Sequence, residues 1–491
     1  MRAGAIWSAT DDRLVVQIGG QASTLVDLRQ SSPISPYLFG TNVFPETSTR
    51  SVDGYGTGFM SYGAPVTNGL RNARVNLLRF PGGNWGEEHL LSYDQLNSYS
   101  ALLEKTGSQG MIQVRLSGSM NNSVADLQSQ ANRADLAGRW VDYMNNPKSS
   151  LRLGEYAHAP FHPVRFWTIG NEPDLLVNPA SGKRFTVAEY VDHLVQFSLA
   201  MHQRNSTIQV FGPELSQFYG RGSGPRDSDG QLWMEGVLKG VGAYEKAHPE
   251  LGFHLLDGVS FHFYPATDPH SAATTLMTNA QEWNYLLAPL RQLVRESLGR
   301  DAPLAVTEIN SNASKQSPPH GLAALWWADT LGTLMNLEMQ YVAFFSTEGV
   351  DSPLPLFASN DLRPTSMLRV LEVFSHLQNR LIPVVSQRDP ISIYATQDDS
   401  HKAVSLLFVN KSAITQLAQV RSQNGAFAIG AWPAVDAALP PYSIMQVTLR
   451  RGGRADAYSF KAPATKDTNV APLTHAACGI ETGALAHDRP C

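Results

Sequence analysis

Two glutamates stand at the ends of strand-like segments: Glu172 in FWTIGNEP and Glu308 in LAVTEINS. A β/α barrel presents its reactive groups at the carboxyl ends of different strands. A pair of carboxylates so placed is the minimal apparatus for cleaving a glycosidic bond. Most of the 43 acidic residues must be solvated surface charges, and a lone Glu after a strand is ordinarily one of them. These two differ in having polar company. Glu172 follows Asn171, whose amide both donates to and accepts from a hydroxyl. Phe166 and Trp167 upstream predict apolar surroundings without a strong cation, which would raise the pKa of Glu172 and let it give up a proton near neutrality.

Glu308 is expected to sit in the opposite environment. Arg79, in LLRFPGG, is a cation at another strand end, and a buried arginine requires an anionic partner. Donation from Arg79 and from the Tyr264 hydroxyl would keep Glu308 ionised, as a nucleophile must be. The competing partner for Arg79 is a surface acid such as Glu87 or Glu88. Glu214, after FGP, is a third strand-end carboxylate and the rival for either role; Glu348, in FFSTEG, either joins the site or is a loop acid. In SFHFYP the period of two puts His262 and Tyr264 on one face and Phe261 and Phe263 on the other. The alternative is a buried His and Tyr that merely satisfy each other. Candidate sugar contacts after the glycine turn are Asn84 and Trp85. Tyr219, Trp233 and Phe345 offer further flat apolar platforms, whereas Trp283, Trp326 and Trp327 fall in helical stretches and read as core.

The elements that must position these residues alternate in type. Strand signals occur at 37–43, 75–83, 110–118, 166–173, 208–215, 258–265, 304–311 and 341–349. Helix-period stretches lie between them at 93–106, 123–145, 187–203, 229–247, 272–298 and 322–337, with a last helix near 364–379. Alternating strands and helices imply parallel βαβ units, and eight units fit a closed (β/α)8 TIM barrel. A nucleotide-binding open sheet would want a glycine fingerprint after its first strand, and that strand ends FGTNV. Beyond the last helix come short alternating strands at 391–397, 403–410 and 442–450. The hairpin at 13–20 and 23–30 cannot pair inside a closed barrel, so it is expected to join them. The predicted fold is therefore α/β: a barrel over 33–380, an all-β sandwich from 1–32 plus 381–450, and a tail or edge wrap over 451–491. The segments 44–69 and 216–232, rich in Gly, Ser and Pro, are expected as cleft walls.

A chain of 491 residues exceeds what one core usually holds. With 43 % hydrophobic and 16 % charged residues it suits a compact protein. The net charge of −5 argues against nucleic acid or an anionic membrane as partner, and no apolar run approaches the ~20 residues of a membrane helix. The opening MRAGAIWSATDD holds no apolar stretch long enough for a signal peptide; the expectation is a cytoplasmic protein or a secreted one whose signal has been removed. No HExxH or CxxC motif occurs, so neither metal nor cofactor is expected. Cys478 and Cys491 are either a closed loop or two free thiols.

RFPGGN, GNEP, HFYP and TEIN occur in this order, on the second, fourth, sixth and seventh strand candidates. In this the chain resembles clan A of the glycoside hydrolases. ISPYLFGTN and LPPYSIMQVTL resemble families 39, 44, 51 and 79, which pair the barrel with a sandwich built from both termini. The resemblance implies a retaining hydrolase with Glu172 as acid/base, Asn171 as its sugar-binding neighbour and Glu308 as nucleophile. Arg79, His262 and Tyr264 would support them. Many clan members have a tryptophan at the end of strand eight, where this chain reads FFSTEG. The expected substrate is a carbohydrate, of β-linked glucan or xylan type. The alternatives are an α-L-arabinofuranosidase, β-xylosidase or β-glucuronidase with the same glutamates, or a carbohydrate-binding barrel without catalysis.

Overall fold

The computed structural model describes residues 12–19, 23–52, 54–116, 133–265, 273–313, 318–349, 354–384, 387–388, 390–423, 432–462, 470–478 and 491. Eight parallel strands close into a barrel. In chain order they are Gly40–Asn42, Leu77–Phe80, Gln109–Val114, Phe166–Ile169, Gln209–Leu215, Gly258–Phe263, Leu304–Ile309 and Tyr341–Phe344, called strands one to eight below. Strand eight pairs strand one through Ala343 opposite Gly40, which closes the ring. Gly40 is required there, because a Cβ would stand 2.4 Å from the Val342 carbonyl oxygen.

Strand side chains point alternately inward and toward the helices. In strand two Phe80 stacks on Tyr99 of helix Tyr93–Thr106 with centroids 4.3 Å apart, while Leu77 and Arg79 point inward. The lower barrel interior is an apolar plug: Tyr37 packs against Phe166 and Tyr341, and Phe211 against both of the latter. Above it the interior turns polar, with Asn42, Arg79, Gln113, Thr168, His262 and Thr307 all buried. Buried polar groups need partners; Asn42, Arg79, Gln113 and Thr307 find hydrogen bonds among the barrel strands, whereas Thr168 Oγ1 has none among the described residues, and the layer builds the floor of a site.

Capping boxes start the helices Tyr93–Thr106 at Ser92 and Val187–Arg204 at Thr186. The helix expected at 272–298 is two helices, Ala273–Asn279 and Trp283–Leu298, joined by a 3₁₀ turn. Residues 123–132 of the helix expected at 123–145 lie outside the described residues; its remainder is Arg133–Asn145. Ala64–Asn72, which begins inside the segment 44–69 expected as a cleft wall, is a helix with Pro65 in its first turn and a buried face of Val66, Thr67 and Leu70. Pro in the first helical turn costs no hydrogen bond, so its presence did not argue for a loop. Among the described residues no helix is long and apolar enough to cross a membrane.

The hairpin Arg13–Ile18 and Thr24–Asp27 pairs with Gln416–Ser422, next to Val435–Leu439. A larger antiparallel sheet runs from Thr474–Cys478 through Arg454–Lys461, Ser443–Arg450, Ala403–Asn410 and Ile391–Gln397 to Arg380–Ile382 and Ser32–Pro33. Leu14, Val16 and Val420 from one sheet and Ile393, Leu406, Phe408 and Val447 from the other fill the core between them. Cys478 is disulfide-bonded to Cys491, whose backbone pairs with Asp436 and Ala438 of the smaller sheet.

Candidate active site

The turn after strand two, the loop after strand four and the ends of strands six, seven and eight surround a cleft of ≈ 550 Å³ over the polar layer. Glu172, Glu308, Asn171, Tyr264, Asn84, Trp85 and Phe345 all line it. One carboxylate oxygen of Glu172 and one of Glu308 lie within 4.8 Å of each other, with a His262 nitrogen within the same distance of both. Glu172 adopts φ +47°, a left-handed conformation that costs a non-glycine residue about 1–2 kcal/mol and recurs at functional sites. Gly83, at φ +60°, is dictated by Glu308: a Cβ there would meet the carboxylate Oε1 at 2.9 Å.

Arg79 is wholly buried and forks between two anions, Glu308 Oε1 at 2.8 Å and Glu214 Oε2 at 2.7 Å. It also donates to Asn42 and Asn171, each at 2.8 Å. Glu87 and Glu88 are therefore not its partners; Glu87 accepts from the Leu116 backbone instead. His262 Nδ1 lies 2.9 Å from Glu172 and 3.5 Å from Glu308, and its Nε2 lies 3.5 Å from Glu214. Burial opposes a charged imidazole, but Glu308, Glu172 and Glu214 around it outweigh that and lift its pKa to about 10. Burial would raise Glu214, yet Arg79 and His262 hold it at about 2. The Tyr264 hydroxyl donates to Glu308 Oε2 at 3.0 Å; burial and the two nearby glutamates keep it protonated, far above the ordinary phenol range.

Two expectations change here. A protonated His262 is a strong cation beside Glu172, and Phe166 and Trp167 are not its environment: Phe166 belongs to the plug below, and Trp167 Nε1 donates to Val164. Glu308 is not held below the carboxylate range. Burial raises its pKa beyond what His262 and Arg79 take back, and the nearby Glu172 adds to the rise. Glu172, His262 and Glu308 are the group of converging carboxylate and imidazole ligand atoms among the described residues. With His262 carrying its proton and Arg79 2.8 Å from Glu308, the charge a metal would supply is already provided by side chains.

Residues 92–267 match the family model of glycoside hydrolase family 44. The fold is similar to the Paenibacillus polymyxa xyloglucanase of family 44 solved with xyloglucan, at 14 % identity over 86 % of this chain and 98 % of that one, TM-score 0.58. It is similar to the α-L-arabinofuranosidase from Thermotoga maritima in complex with arabinose, at 15 % identity over 93 % and 95 %, TM-score 0.63. CelM2, a bifunctional glucanase-xylanase from a metagenome library, aligns at 15 % identity over 86 % and 97 %, TM-score 0.57. No curated protein sequence matches. The matched residues run from the start of the helix after strand two to the end of strand six, through Glu172. The matched family model and the similar folds are those of glycoside hydrolases, on a closed eight-stranded barrel like this one.

Arg79 and His262 face the carboxylates from beneath and take no part in the cleft wall. Asn84 accepts from Asn171 at 3.1 Å, linking two wall residues. Glu348 is nearly buried behind the wall and accepts from the Ser61 backbone at 3.0 Å, and burial raises its pKa. Phe345 lies just past strand eight, and its ring meets Phe44 edge-on at 5.9 Å, with Phe59 at 4.6 Å from Phe44. Phe44 and Phe59 line the cleft; the sequence reading placed their segment at the wall without singling them out. Segment 216–232 does not form a wall. Arg221 bonds Glu296, the Gly222 backbone donates to Glu235, and Asp227 accepts from Val187, so it folds outward over three helices. Trp233 is buried in its helix and Tyr219 is exposed.

Proposed function

We propose that this protein cleaves β-linked plant-type glycan of the glucan or xylan type by double displacement. Glu308 is the nucleophile and Glu172 the acid/base. The observation that carries this reading is the approach of the two carboxylates to within 4.8 Å across the cleft. Retaining enzymes hold the pair about 5–5.5 Å apart, whereas inverting enzymes need about 6.5–9.5 Å to admit a water. Glu214 is a poor rival, being fully buried and outside the cleft wall.

In the productive state Glu172 delivers a proton to the glycosidic oxygen as Glu308 attacks the anomeric carbon and the leaving group departs. Glu172 then takes a proton from water, which attacks the glycosyl-enzyme ester and frees Glu308. The Tyr264 hydroxyl and Arg79 fix the two Glu308 oxygens in place. Phe345, Phe44, Phe59 and Trp85 give a sugar apolar faces. Among the described lining residues the charged side chains are Glu88, Glu172 and Glu308, all acidic, which favours a neutral sugar over a uronic acid. The likeness in fold to a xyloglucanase and to a bifunctional glucanase-xylanase supports the same choice.

The test is a screen of chromogenic glycosides and neutral polysaccharides with product sizes recorded, beside two variants. Glu308→Ala should lose turnover on every substrate. Glu172→Ala should lose far more on poor leaving groups than on activated aryl glycosides, with azide partly restoring the latter. Full activity in Glu308→Ala would refute the assignment.

A further inference from the structure

We propose that Gln217 is a positioning residue for the Glu308 nucleophile, acting through the main chain of Tyr264. This rests on the reading of the site given above. Strands five and six pair in parallel up to Leu215 opposite Phe261, and strands six and seven up to Phe263 opposite Ile309. Tyr264 is the first residue beyond both ladders. A residue at that point has lost its regular main-chain partners, yet its hydroxyl must reach Glu308 Oε2 at 3.0 Å.

Gln217 supplies the missing pairing. Its Nε2 donates to the Tyr264 carbonyl at 2.7 Å, and its Oε1 accepts from the Tyr264 N–H at 3.0 Å. One side-chain amide thus satisfies both main-chain groups of a single residue, in the geometry a neighbouring strand would use. A planar primary amide alone among uncharged side chains offers a donor and an acceptor side by side at this reach. The clamp is itself held on both sides. Ser216 donates through its backbone to Asp174 Oδ1 at 3.0 Å and through its hydroxyl to Oδ2 at 2.5 Å, and Asp174 lies two residues beyond Glu172. Phe218 is buried and packs on Phe261 of strand six with centroids 5.3 Å apart. The backbone at 216–218 is thereby fixed relative to both the acid/base loop and strand six. The amide between these anchors sets where the Tyr264 ring begins. Gln217 itself is absent from the cleft wall, so it reaches the reaction only through Tyr264.

A double-mutant cycle on an activated aryl glycoside tests this. Gln217→Ala should lower kcat about tenfold, the worth of one or two ordinary hydrogen bonds, with a smaller change in KM. Tyr264→Phe should lower it at least as much. In the Tyr264→Phe background, Gln217→Ala should then cost less than about twofold, because the hydroxyl it positions is gone. Equal losses in the two backgrounds, with Glu308→Ala inactive, overturn the proposal and leave the site reading intact. Turnover retained in Glu308→Ala overturns both. Gln217→Glu gives an independent readout that loss of folding does not mimic. Its carboxylate repels the Tyr264 carbonyl, but its protonated acid both donates and accepts like the amide. The ratio of its activity to that of the parent should rise as pH falls through the carboxylate range, and a flat ratio overturns the proposal.

Discussion

Glu214 was the third carboxylate in contention, and its position assigns it a different task. It is a buried anion shared by Arg79, His262 and Thr307, at 2.7, 3.5 and 2.9 Å. Arg79 reaches Glu214 through one terminal nitrogen and Glu308 through the other. Burial raises the Glu308 pKa against His262 and Arg79, which lower it. Glu214→Gln keeps the shape and removes the charge. Arg79 then acts on Glu308 alone and a nearby negative charge is gone, so both changes lower the Glu308 pKa. The acid limb of the kcat/KM profile, which reports the free enzyme, should move to lower pH by about one unit. A limb that stays put or moves upward would show that Glu214 does not set the nucleophile's charge.

At the scale of elements, the turn after strand two determines how close the backbone comes to the nucleophile. Gly83 lies in the left-handed region, and a Cβ there would meet Glu308 Oε1 at 2.9 Å and the Phe345 ring at 3.4 Å. Gly83→Ala should cost about 1–2 kcal/mol of stability from the backbone alone. It should also depress kcat beyond that loss, because the carboxylate must shift from Arg79 and Tyr264. Thermal unfolding beside single-turnover rates separates the two effects. Unchanged rates in a folded variant would mean that the turn has slack.

Over the whole molecule, the sandwich is tied to the barrel by a buried ion pair. Lys411 Nζ lies 2.9 Å from Asp329 Oδ2, with both side chains almost wholly enclosed, and the Tyr394 hydroxyl donates to the other Asp329 oxygen at 2.6 Å. Asp329 belongs to the barrel helix His320–Asn336, and Lys411 and Tyr394 come from the sandwich. We propose a domain division of 33–380 against 1–32 plus 381–450, with 451–491 along the sandwich edge. The pairing of Ser32–Pro33 with Arg380–Ile382 at the larger sheet's end supports it. Removing one partner of a buried pair strands the other charge, at about 3–5 kcal/mol. Lys411→Met should lower the thermal midpoint accordingly, measured by calorimetry. An unchanged midpoint would mean that the two parts hold together by apolar packing.

Residue order alone determined the alternation of strand and helix, the closed barrel and the pairing of the N-terminal hairpin with C-terminal strands. These follow from hydrophobic period and turn chemistry, which are local. The same local signals marked Glu172, Glu308, Arg79, Asn171 and Tyr264, because a barrel builds its site at the carboxyl ends of its strands and these strand ends carry polar residues together. Tertiary structure decided everything that depends on who stands opposite. That His262 reaches three carboxylates and Arg79 two is a distance relation among strands two, four, five, six and seven, and no period in the chain encodes it. The direction of the Glu308 pKa was misjudged for the same reason: a pKa sums burial and every neighbouring charge, and burial outweighs Arg79 and His262 there. Segment 216–232 shows the limit for loops, since Gly and Pro mark where a chain turns but not toward which face. Gln217 carries no signal in sequence at all, because its partner is the backbone of Tyr264, and any residue there would present the same N–H and C=O.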